Sequence, residues 1–417
     1  MTLLIISPDY ASHYGPLAVL ARAAQQGGQR IVVATGNSLR SRVEEEGFEW
    51  RELNLAASSN SGVVVKDPSI ERFLTATRSG ALDTIRYQAL QRQIDLLWQP
   101  EQVVRAIIAL YNDLQPDEVL VDHVSFGSTL AMYALGESFI TLVPGHPSQL
   151  PVGGERYGIP AQWPTCLRPD PEQLSEVERL ADTVTAAFTD RWNIALAAVA
   201  PGRPPVEDAF RVHGRRVLYN SVFDYHSDLR SANLPLDHRF VGPLVREEEL
   251  PESLAGWRHQ QHGRPQVYVA LGTFLSHRAD VLTGIAEALR EVGARAAIAI
   301  GSMQKHELGP VPDDWVVAPE LPQVAMLQYS DLAIHHGGNN SVQECLGTGV
   351  RQLVLPFSTD QFANAADLER VGVATILDPN EMSTAQLFEA ILSRLDSPLP
   401  NPQSRITSAY VIEALLD

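Results

Sequence analysis

A strand-like apolar run that passes through paired glycines into a helix start is the feature that most restricts the fold of this chain. Residues 331–334 (DLAI) are typical of a buried strand, residues 335–338 (HHGG) break the run, and residues 339–341 (NNS) favour the first turn of a helix. Glu344 follows Ser341 by three positions, so these two side chains predict a capping box. A helix that starts at a glycine turn presents free N–H groups and the positive end of its dipole. We therefore expect an anion site within an α/β fold.

The order of apolar runs predicts two α/β units. Residues 3–7 and 30–34 are typical of buried strands and enclose a helical pattern that begins at Pro16, which makes a β-α-β unit. The strand pattern returns in the second half at residues 266–271, 296–300, 315–318, 331–334 and 353–355. Because 417 residues are long for one core, we predict two Rossmann-like, doubly wound domains.

Polar segments separate these patterns. Residues 58–62 (SSNSG) predict a flexible loop, and residues 246–264 are charged and rich in turn formers, so we interpret them as the interdomain linker. The linker places the domains at residues 1–245 and 246–417. The final helix, predicted at residues 408–416, has enough apolar residues to pack back on the first domain.

The charge balance limits the kinds of partner. Lys and Arg number 32 against 50 Asp and Glu, which gives a formal net charge of -18. Because binding to a phosphate backbone needs a basic face, we expect no nucleic-acid partner. No stretch reaches the roughly 20 apolar residues of a membrane span, and no signal segment is evident, so we expect a cytoplasmic protein.

The glycine turn belongs to a longer pattern of residue types: P-Q, then H-x-G-x-N-S-x-x-E, then a proline and D-Q. In this chain the matching positions are Pro322, Gln323, His336, Gly338, Asn340, Ser341, Glu344, Pro356, Asp360 and Gln361. The pattern resembles the donor-binding signature of the inverting nucleotide-sugar glycosyltransferases that act on macrolides, flavonoids and similar small molecules. The resemblance implies the GT-B fold, in which an acceptor-binding domain (1–245) and a nucleotide-sugar-binding domain (246–417) face each other across a cleft.

The resemblance also implies a role for each donor-binding residue. His336, Asn340 and Ser341 would hold the diphosphate, and Glu344 would accept hydrogen bonds from the ribose hydroxyls. Glu344 also fits the return half of the capping box, and the two roles are compatible. Hydroxyls of the transferred sugar would bind Asp360 and Gln361. The remaining donor-binding positions are Gly272 and Thr273, which follow a strand and should face the phosphates, together with Leu321, Gln323 and Gly338.

His13 and Asp122 are the candidate catalytic residues. An inverting transfer needs a base for the acceptor hydroxyl, and histidine titrates near neutrality. The context of His13, H-x-x-P in the loop after the first strand, resembles that of the family's catalytic histidine, with Ser12 in place of a glycine. Asp122 ends a strand introduced by P-D, which resembles the element that carries the paired aspartate. Taken singly, each residue fits a helix cap equally well.

Three positions depart from the plant form of the signature. Glu320 replaces a tryptophan that stacks on the base, so the identity of the base stays open. His335 replaces a threonine or serine, and Arg351 replaces a proline, where it either is solvated or adds positive charge near the diphosphate. The chain has no D-x-D triplet, so we expect no metal and no other cofactor; the helix start and His336 would stabilise the leaving group.

The expected partners are a nucleoside-diphosphate sugar and a small acceptor with a hydroxyl group. Aromatic and polar residues of the first half are candidates to line an apolar acceptor pocket, although ordinary core packing fits each of them: Phe73, Tyr87, Trp98, Phe126, His146, Tyr157 and Trp163. Two alternatives stay open, a sugar-nucleotide epimerase of the same fold and a non-catalytic auxiliary protein. Acceptor identity and oligomeric state are open as well.

Overall fold

The chain folds around two separate parallel β-sheets. The structure, a computed structural model, describes residues 1–56, 68–222, 228–258, 263–403 and 408–416. The first sheet contains β1 (Thr2–Ile6), β2 (Arg30–Thr35), β3 (Glu49–Glu52), β4 (Glu118–Asp122), β5 (Ile140–Val143), β6 (Arg216–Tyr219) and β7 (His238–Phe240). The second contains β8 (Gln266–Ala270), β9 (Arg295–Ala299), β10 (Val316–Ala318), β11 (Leu332–His335), β12 (Arg351–Val354) and β13 (Ala374–Ile376).

Helices connect the strands in both halves. In the first half they are α1 (Ala11–Gln26), α2 (Arg40–Glu45), α3 (Pro68–Ser79), α4 (Ala81–Asp95), α5 (Pro100–Leu114), α6 (Phe126–Leu135), α7 (Pro171–Val199) and α8 (Asp228–Ser231). In the second half they are α9 (Gly272–Leu275), α10 (Ala279–Val292), α11 (Gln323–Leu327), α12 (Asn339–Thr348), α13 (Gln361–Arg370), α14 (Thr384–Asp396) and α15 (Ser408–Leu416). Within the described residues, no helix is long and apolar enough to cross a membrane.

Each sheet is buried on both faces. Leu3 and Ile5 of β1 pack into one apolar cluster, while Leu4 and Ile6 pack into another on the opposite face. The residues of β8 divide in the same way between two clusters of the second half. This arrangement explains the continuous apolar runs in the sequence, because helices cover both sides of a parallel sheet. The two doubly wound, Rossmann-like units predicted from the sequence are confirmed.

The strand order places a binding crevice in each half. The first sheet has the order β3-β2-β1-β4-β5-β6-β7 and the second β10-β9-β8-β11-β12-β13, and every adjacent pair is parallel. The order reverses between β1 and β4 in the first sheet and between β8 and β11 in the second. Ligands of such sheets bind at the carboxyl ends of the strands beside this reversal. The predicted site residues follow these four strands.

The segment predicted as a polar linker packs mainly with the second half. Leu250 and Trp257 are 6% and 1% exposed and belong to a cluster with Tyr268 of β8. The composition of the segment was misleading because these two apolar side chains are enough to attach it to the core. Residues 259–262 and the predicted flexible loop at 58–62 lie outside the described residues. The predicted boundary at 245/246 lies between β7 and β8.

The last helix lies on the first half of the chain. Val411, Ala414 and Leu415 of α15 join the cluster that contains the buried residues of α1. Arg216 of β6 donates a hydrogen bond from Nη1 to the carbonyl oxygen of Ala414 at 2.9 Å. The C-terminal segment therefore connects the second sheet back to the first. Two short edge strands, β3 and β13, had no clear apolar run and were not predicted.

Candidate active site

The carboxyl ends of the two sheets face each other across a cleft of about 450 Å³. Most of the predicted site residues line it, and they come from both halves of the chain. The lining residues are Ser12, His13, Pro144, Gly145, Gln149, Gly272, Phe274, His336, Gly338, Asn339, Asn340, Ser341, Thr359, Asp360 and Gln361. The cleft therefore brings the candidate base and the predicted anion site together.

His13 and Asp122 form a hydrogen-bonded pair. The Nδ1 atom of His13 lies 2.9 Å from Oδ2 of Asp122, whose side chain is fully buried, and Oδ1 accepts from the Val124 N–H at 3.0 Å. Because Nδ1 is engaged, Nε2 is the ring nitrogen left for a ligand. Burial of the ring opposes its charging, but the attraction and hydrogen bond of Asp122 outweigh this effect, so the pKa of His13 is raised above its usual value.

The helix that carries His13 begins earlier than predicted. The expectation of a loop through Gly15 with a helix from Pro16 is wrong, since α1 starts at Ala11 and contains Pro16. His13 is therefore held by the first helical turn. Pro16 has no N–H to donate to the carbonyl of Ser12 four residues earlier. That carbonyl instead accepts a hydrogen bond from Nδ2 of Asn340 at 2.7 Å, which joins α1 to α12 across the cleft.

His335 shapes the turn before α12. It is the last residue of β11 and is buried, which lowers its pKa to about 3. Its Nδ1 accepts from the Gly337 N–H at 3.1 Å, so the ring proton lies on Nε2, which donates to Oε1 of Gln352 on β12 at 3.0 Å. Gly337 has a φ of +84°, a conformation that favours glycine. The replacement of the family's threonine or serine is thus a structural hydrogen bond below the site.

The predicted capping box does not form. Gly338, not Ser341, is the N-cap of α12, and no side chain caps this helix. The helix starts early because Gly337 turns the chain sharply. The first N–H groups of α12 consequently stay available at the cleft, as an anion site requires.

His336 lies directly beside these N–H groups. A Cβ atom at Gly338 would collide with its Nε2, and a Cβ at Gly272 would lie 3.1 Å from its Cε1, so glycines on both sides make room for the ring. Burial lowers the pKa of His336 to about 4, although Asp360 and the Ala270 carbonyl act in the opposite direction. The ring is therefore neutral near pH 7. Its Nδ1 atom has no hydrogen-bond partner in the described part of the chain.

A polar network extends from α12 to the nucleoside side of the cleft. Gln323 donates from Nε2 to Oγ of Ser341 at 3.1 Å and also to Oε2 of Glu344. Nη1 of Arg246 donates to the other carboxylate oxygen of Glu344 at 3.0 Å. Burial raises the pKa of Glu344, and Arg246 and Gln323 act in the opposite direction. The sequence did not indicate Arg246, because its partner lies 98 residues away.

The predicted sugar-binding residues are engaged in different ways. Oδ2 of Asp360 accepts from the backbone N–H of His146 at 3.1 Å, and its carboxylate lines the cleft. Oε1 of Gln361 accepts from the N–H groups of Phe357 and Ser358 at 2.9 and 3.1 Å. In this structure Gln361 therefore holds its own loop.

Two other donor-binding positions lie outside the cleft lining. Leu321 packs against the apolar cluster around Tyr268, and the side chain of Thr273 lies outside the described residues.

Arg351 does not lie near the expected diphosphate. It is the first residue of β12, at the amino end of the strand, and donates from Nε to the carbonyl of Ser397 at 2.7 Å. The alternative of a freely solvated side chain is also wrong, because Arg351 is only partly exposed and has these backbone partners. The opposite edge of the sheet carries the cleft.

The aromatic candidates for the acceptor pocket separate into two groups. Trp98 and Phe126 line a cavity of about 100 Å³ beside Tyr10, and Tyr157 lines a cavity of about 200 Å³ that reaches Asp360. The others have different contacts: Phe73 packs on the core of the second half and beside Tyr87, Trp163 stacks on Phe362, and His146 lies 3.2 Å from Asp367.

Asn339 is a residue that the sequence did not single out for its role. Its Nδ2 donates to the carbonyls of Pro144 and Asn220, each at 2.8 Å, and so links α12 to two loops of the first half. Only the helix-start preference of asparagine was visible in the sequence. Across the described ranges, no group of three or more His, Cys, Asp or Glu side chains could hold a metal ion.

Comparison with known proteins agrees with this geometry. Residues 283–411 match the family described as "Erythromycin biosynthesis protein CIII-like, C-terminal domain". The chain is 30% identical to the uncharacterised UDP-glucosyltransferase YdhE of Bacillus subtilis over 410 residues, which cover 96% of this chain and 91% of that protein.

Solved structures share the fold over the full length. The glycotransferase of kitacinnamycin matches with a TM-score of 0.67 and 22% identity, covering 99% of this chain and 94% of the other. The glycosyltransferase VinC, crystallised with dTDP, matches with a TM-score of 0.64 and 18% identity, covering 100% and 95%. The GT-B fold implied by the sequence is confirmed, and the chain belongs to the nucleotide-sugar glycosyltransferases of the macrolide type.

Proposed function

We propose that this enzyme transfers a sugar from a nucleoside-diphosphate donor to a hydroxyl of a small, largely apolar acceptor, with inversion at the anomeric carbon. One observation carries the proposal: the His13–Asp122 pair and the open start of α12 meet in the same cleft. A base on one side and an anion site on the other are what a direct displacement needs.

His13 acts as the base in this reaction. Its Nε2 takes the proton of the acceptor hydroxyl while the hydroxyl oxygen attacks the anomeric carbon. The bond from that carbon to the diphosphate oxygen breaks, and its electron pair leaves with the diphosphate. Asp122 holds the ring through Nδ1 and stabilises the imidazolium that forms.

The donor lies along α12. The first N–H groups of the helix and the neutral ring of His336 bind the diphosphate, and Glu344 with Gln323 binds the ribose. Asp360 accepts a hydrogen bond from the transferred sugar, while Gln361 keeps the loop of Asp360 in shape. The complex of VinC with dTDP supports a donor of this chemical class.

The leaving group is stabilised by these protein groups, without a metal ion or other cofactor. Partial positive charge at a helix start is positioned where negative charge develops on the diphosphate. We expect turnover to be unchanged after EDTA treatment and after addition of Mg²⁺. A loss of more than tenfold on chelation, restored by the metal, would contradict this part of the proposal.

The acceptor enters between the two cavities beside Asp360 and Tyr10. Their linings combine the apolar side chains of Leu96, Trp98 and Phe126 with few charges, which fits an apolar molecule better than a sugar or peptide.

A donor panel with product analysis tests the function. UDP-, dTDP- and GDP-sugars with α linkages are incubated with phenolic and polyketide alcohols, and the anomeric proton coupling of each product is read by NMR. We expect β-linked glycosides from at least one pair. α-Linked products would exclude inversion. Interconversion of the donor without an acceptor would indicate an epimerase, and no turnover with any pair would favour an auxiliary protein.

A further inference from the structure

A cavity of about 540 Å³ lies behind the donor cleft, between the first half of the chain and the segment that joins the two sheets. One face of α1 forms a wall, with Gly15, Val19 and Arg22, and residues 243–247 form the opposite wall. No Cβ at Gly15 would meet another atom within 4 Å, so the wall is open at that position. The volume is within the usual range of small-molecule pockets, about 300–1,000 Å³.

Arg246 lies at the boundary between this cavity and the ribose site. It lines the cavity and also donates to Glu344, the residue that binds the ribose in the proposed function. A nucleoside held by Glu344 therefore has its base within reach of Arg246.

The guanidinium of Arg246 is fixed along its edge. Nη1 donates to Glu344 at 3.0 Å, while Nη2 and Nε donate to Oε1 of Glu248 at 2.9 and 3.3 Å. Glu248 is itself held, since its Oε2 accepts from the N–H groups of Val324 and Ala325 at the start of α11. The side chain of Arg246 is still 39% exposed. Bonds from all three nitrogens set the orientation of the plane, so its faces remain for a ligand.

A planar cation of this kind is a stacking surface for a nucleobase. Position 320, where the resembled signature has a ring, is here an exposed glutamate that cannot stack. We propose that the guanidinium of Arg246 is the stacking surface for the base of the donor nucleotide, and that the base enters the cavity between α1 and residues 243–247. This inference rests on the proposed function, because it takes the ribose to lie at Glu344.

The test separates stacking from charge. Calorimetry measures the affinity of UDP and of methyl ribofuranoside 5-diphosphate, which is the same molecule with a methyl group in place of uracil. The ratio of the two dissociation constants reports the contribution of the base alone. Arg246→Lys keeps the charge beside Glu344 but has no plane, whereas Arg246→Met has neither. Arg239→Met is the matched control, since Arg239 is 41% exposed and pairs with Asp237 on the first sheet.

In the wild-type enzyme and in Arg239→Met we expect UDP to bind about tenfold more tightly than the abasic compound, in line with one stacked base. In both Arg246 variants the ratio should fall to about twofold. Arg246→Lys should bind the abasic compound as the wild type does. A ratio that stays near tenfold in both variants would overturn the inference and leave the proposed function intact. If the wild-type enzyme binds neither compound, the proposed function itself fails.

Discussion

At the scale of single residues, the chemistry depends on the different protonation of three histidines around one cleft. His335 and His336 are neutral because burial lowers their pKa to about 3 and about 4. His13 is also buried, but the carboxylate of Asp122 raises its pKa. Identical side chains therefore serve as a structural link, an anion ligand and a base, and the neighbouring carboxylate makes the difference.

Asp122→Asn should change the pH profile as well as the rate. The base works when His13 is neutral, so kcat/KM rises with pH through the pKa of His13. Without the carboxylate, burial dominates and this pKa falls, so the acidic limb should move to lower pH. The amide would also donate to Nδ1 and place the ring proton on Nε2, which should lower the plateau by roughly two orders of magnitude.

The pH dependence of kcat/KM, measured between pH 5 and pH 9 for both proteins, checks this prediction. Asp237→Asn serves as the control, because Asp237 is a surface partner of Arg216 and Arg239. An acidic limb that stays in place in Asp122→Asn would show that Asp122 does not set the pKa of His13.

At the scale of elements, α1 and α12 form one unit through a backbone group that proline leaves free. Pro16 removes a hydrogen bond inside α1, and the carbonyl of Ser12 binds Asn340 instead. Residue 12 precedes the base directly, so this contact fixes His13 relative to the donor helix. Some stability of α1 is given up for this alignment.

Pro16→Ala should therefore raise stability and lower activity. The new N–H can bind the Ser12 carbonyl within the helix, and an interior proline costs about 3 kcal/mol or more, so we expect about 1–3 kcal/mol of added stability. We expect kcat to fall about tenfold because the contact to Asn340 competes with the new bond. Thermal unfolding and steady-state kinetics measure the two effects. Pro171→Ala, at the tolerated first position of α7, should change neither. Higher stability with unchanged kcat would separate the contact from catalysis.

Element positions were well predicted where the signal is local. The apolar runs of β1 and β8 and the periodic pattern of α15 give their positions directly, because burial on a known period needs no distant partner. Helix starts were predicted less well. The starts of α1 and α12 moved by five and two residues from the expected Pro16 and Ser341, because Tyr10 and the Gly337 turn, and not a side-chain cap, begin them.

At the scale of the whole molecule, contacts around α13 hold the two halves together on the far side of the cleft. Phe362 of α13 is fully buried in a cluster whose other members, such as Ile85 and Ile159, come from the first half. Its ring stacks on Trp163 with centroids 5.3 Å apart. Glu369 of the same helix accepts from the backbone N–H of Thr165 at 2.8 Å. The loop of Asp360 leads directly into this helix.

Phe362→Ala should loosen the closed arrangement. Loss of a buried aromatic ring costs about 3–5 kcal/mol, and this cost is at the interface between the halves. We expect a larger radius of gyration in small-angle X-ray scattering and a higher KM for the donor. Phe188→Ala is the matched control, since Phe188 is fully buried within the first half alone. It should lower stability by a similar amount without changing the radius. Equal radii for all three proteins would show that Phe362 does not hold the halves together.

The architecture and the participants of the site were visible in the sequence, but their mutual contacts were not. The two sheets and the pairing of His13 with Asp122 follow from strand order and from a family pattern. The partners of Asn340 and Arg246 lie 328 and 98 residues away, and no local spacing connects them. Contacts across the cleft depend on how two separately patterned halves meet, which only the folded chain shows.

Turnover of His13→Ala, measured together with UDP affinity, tests most directly whether an imidazole opposite the α12 anion site deprotonates the acceptor. We expect kcat to fall by roughly two to four orders of magnitude, the usual contribution of a general base, while the dissociation constant of UDP stays nearly unchanged. His306→Ala, at an exposed histidine of the second half, should leave both values as they are. Wild-type turnover in His13→Ala would contradict the proposed mechanism.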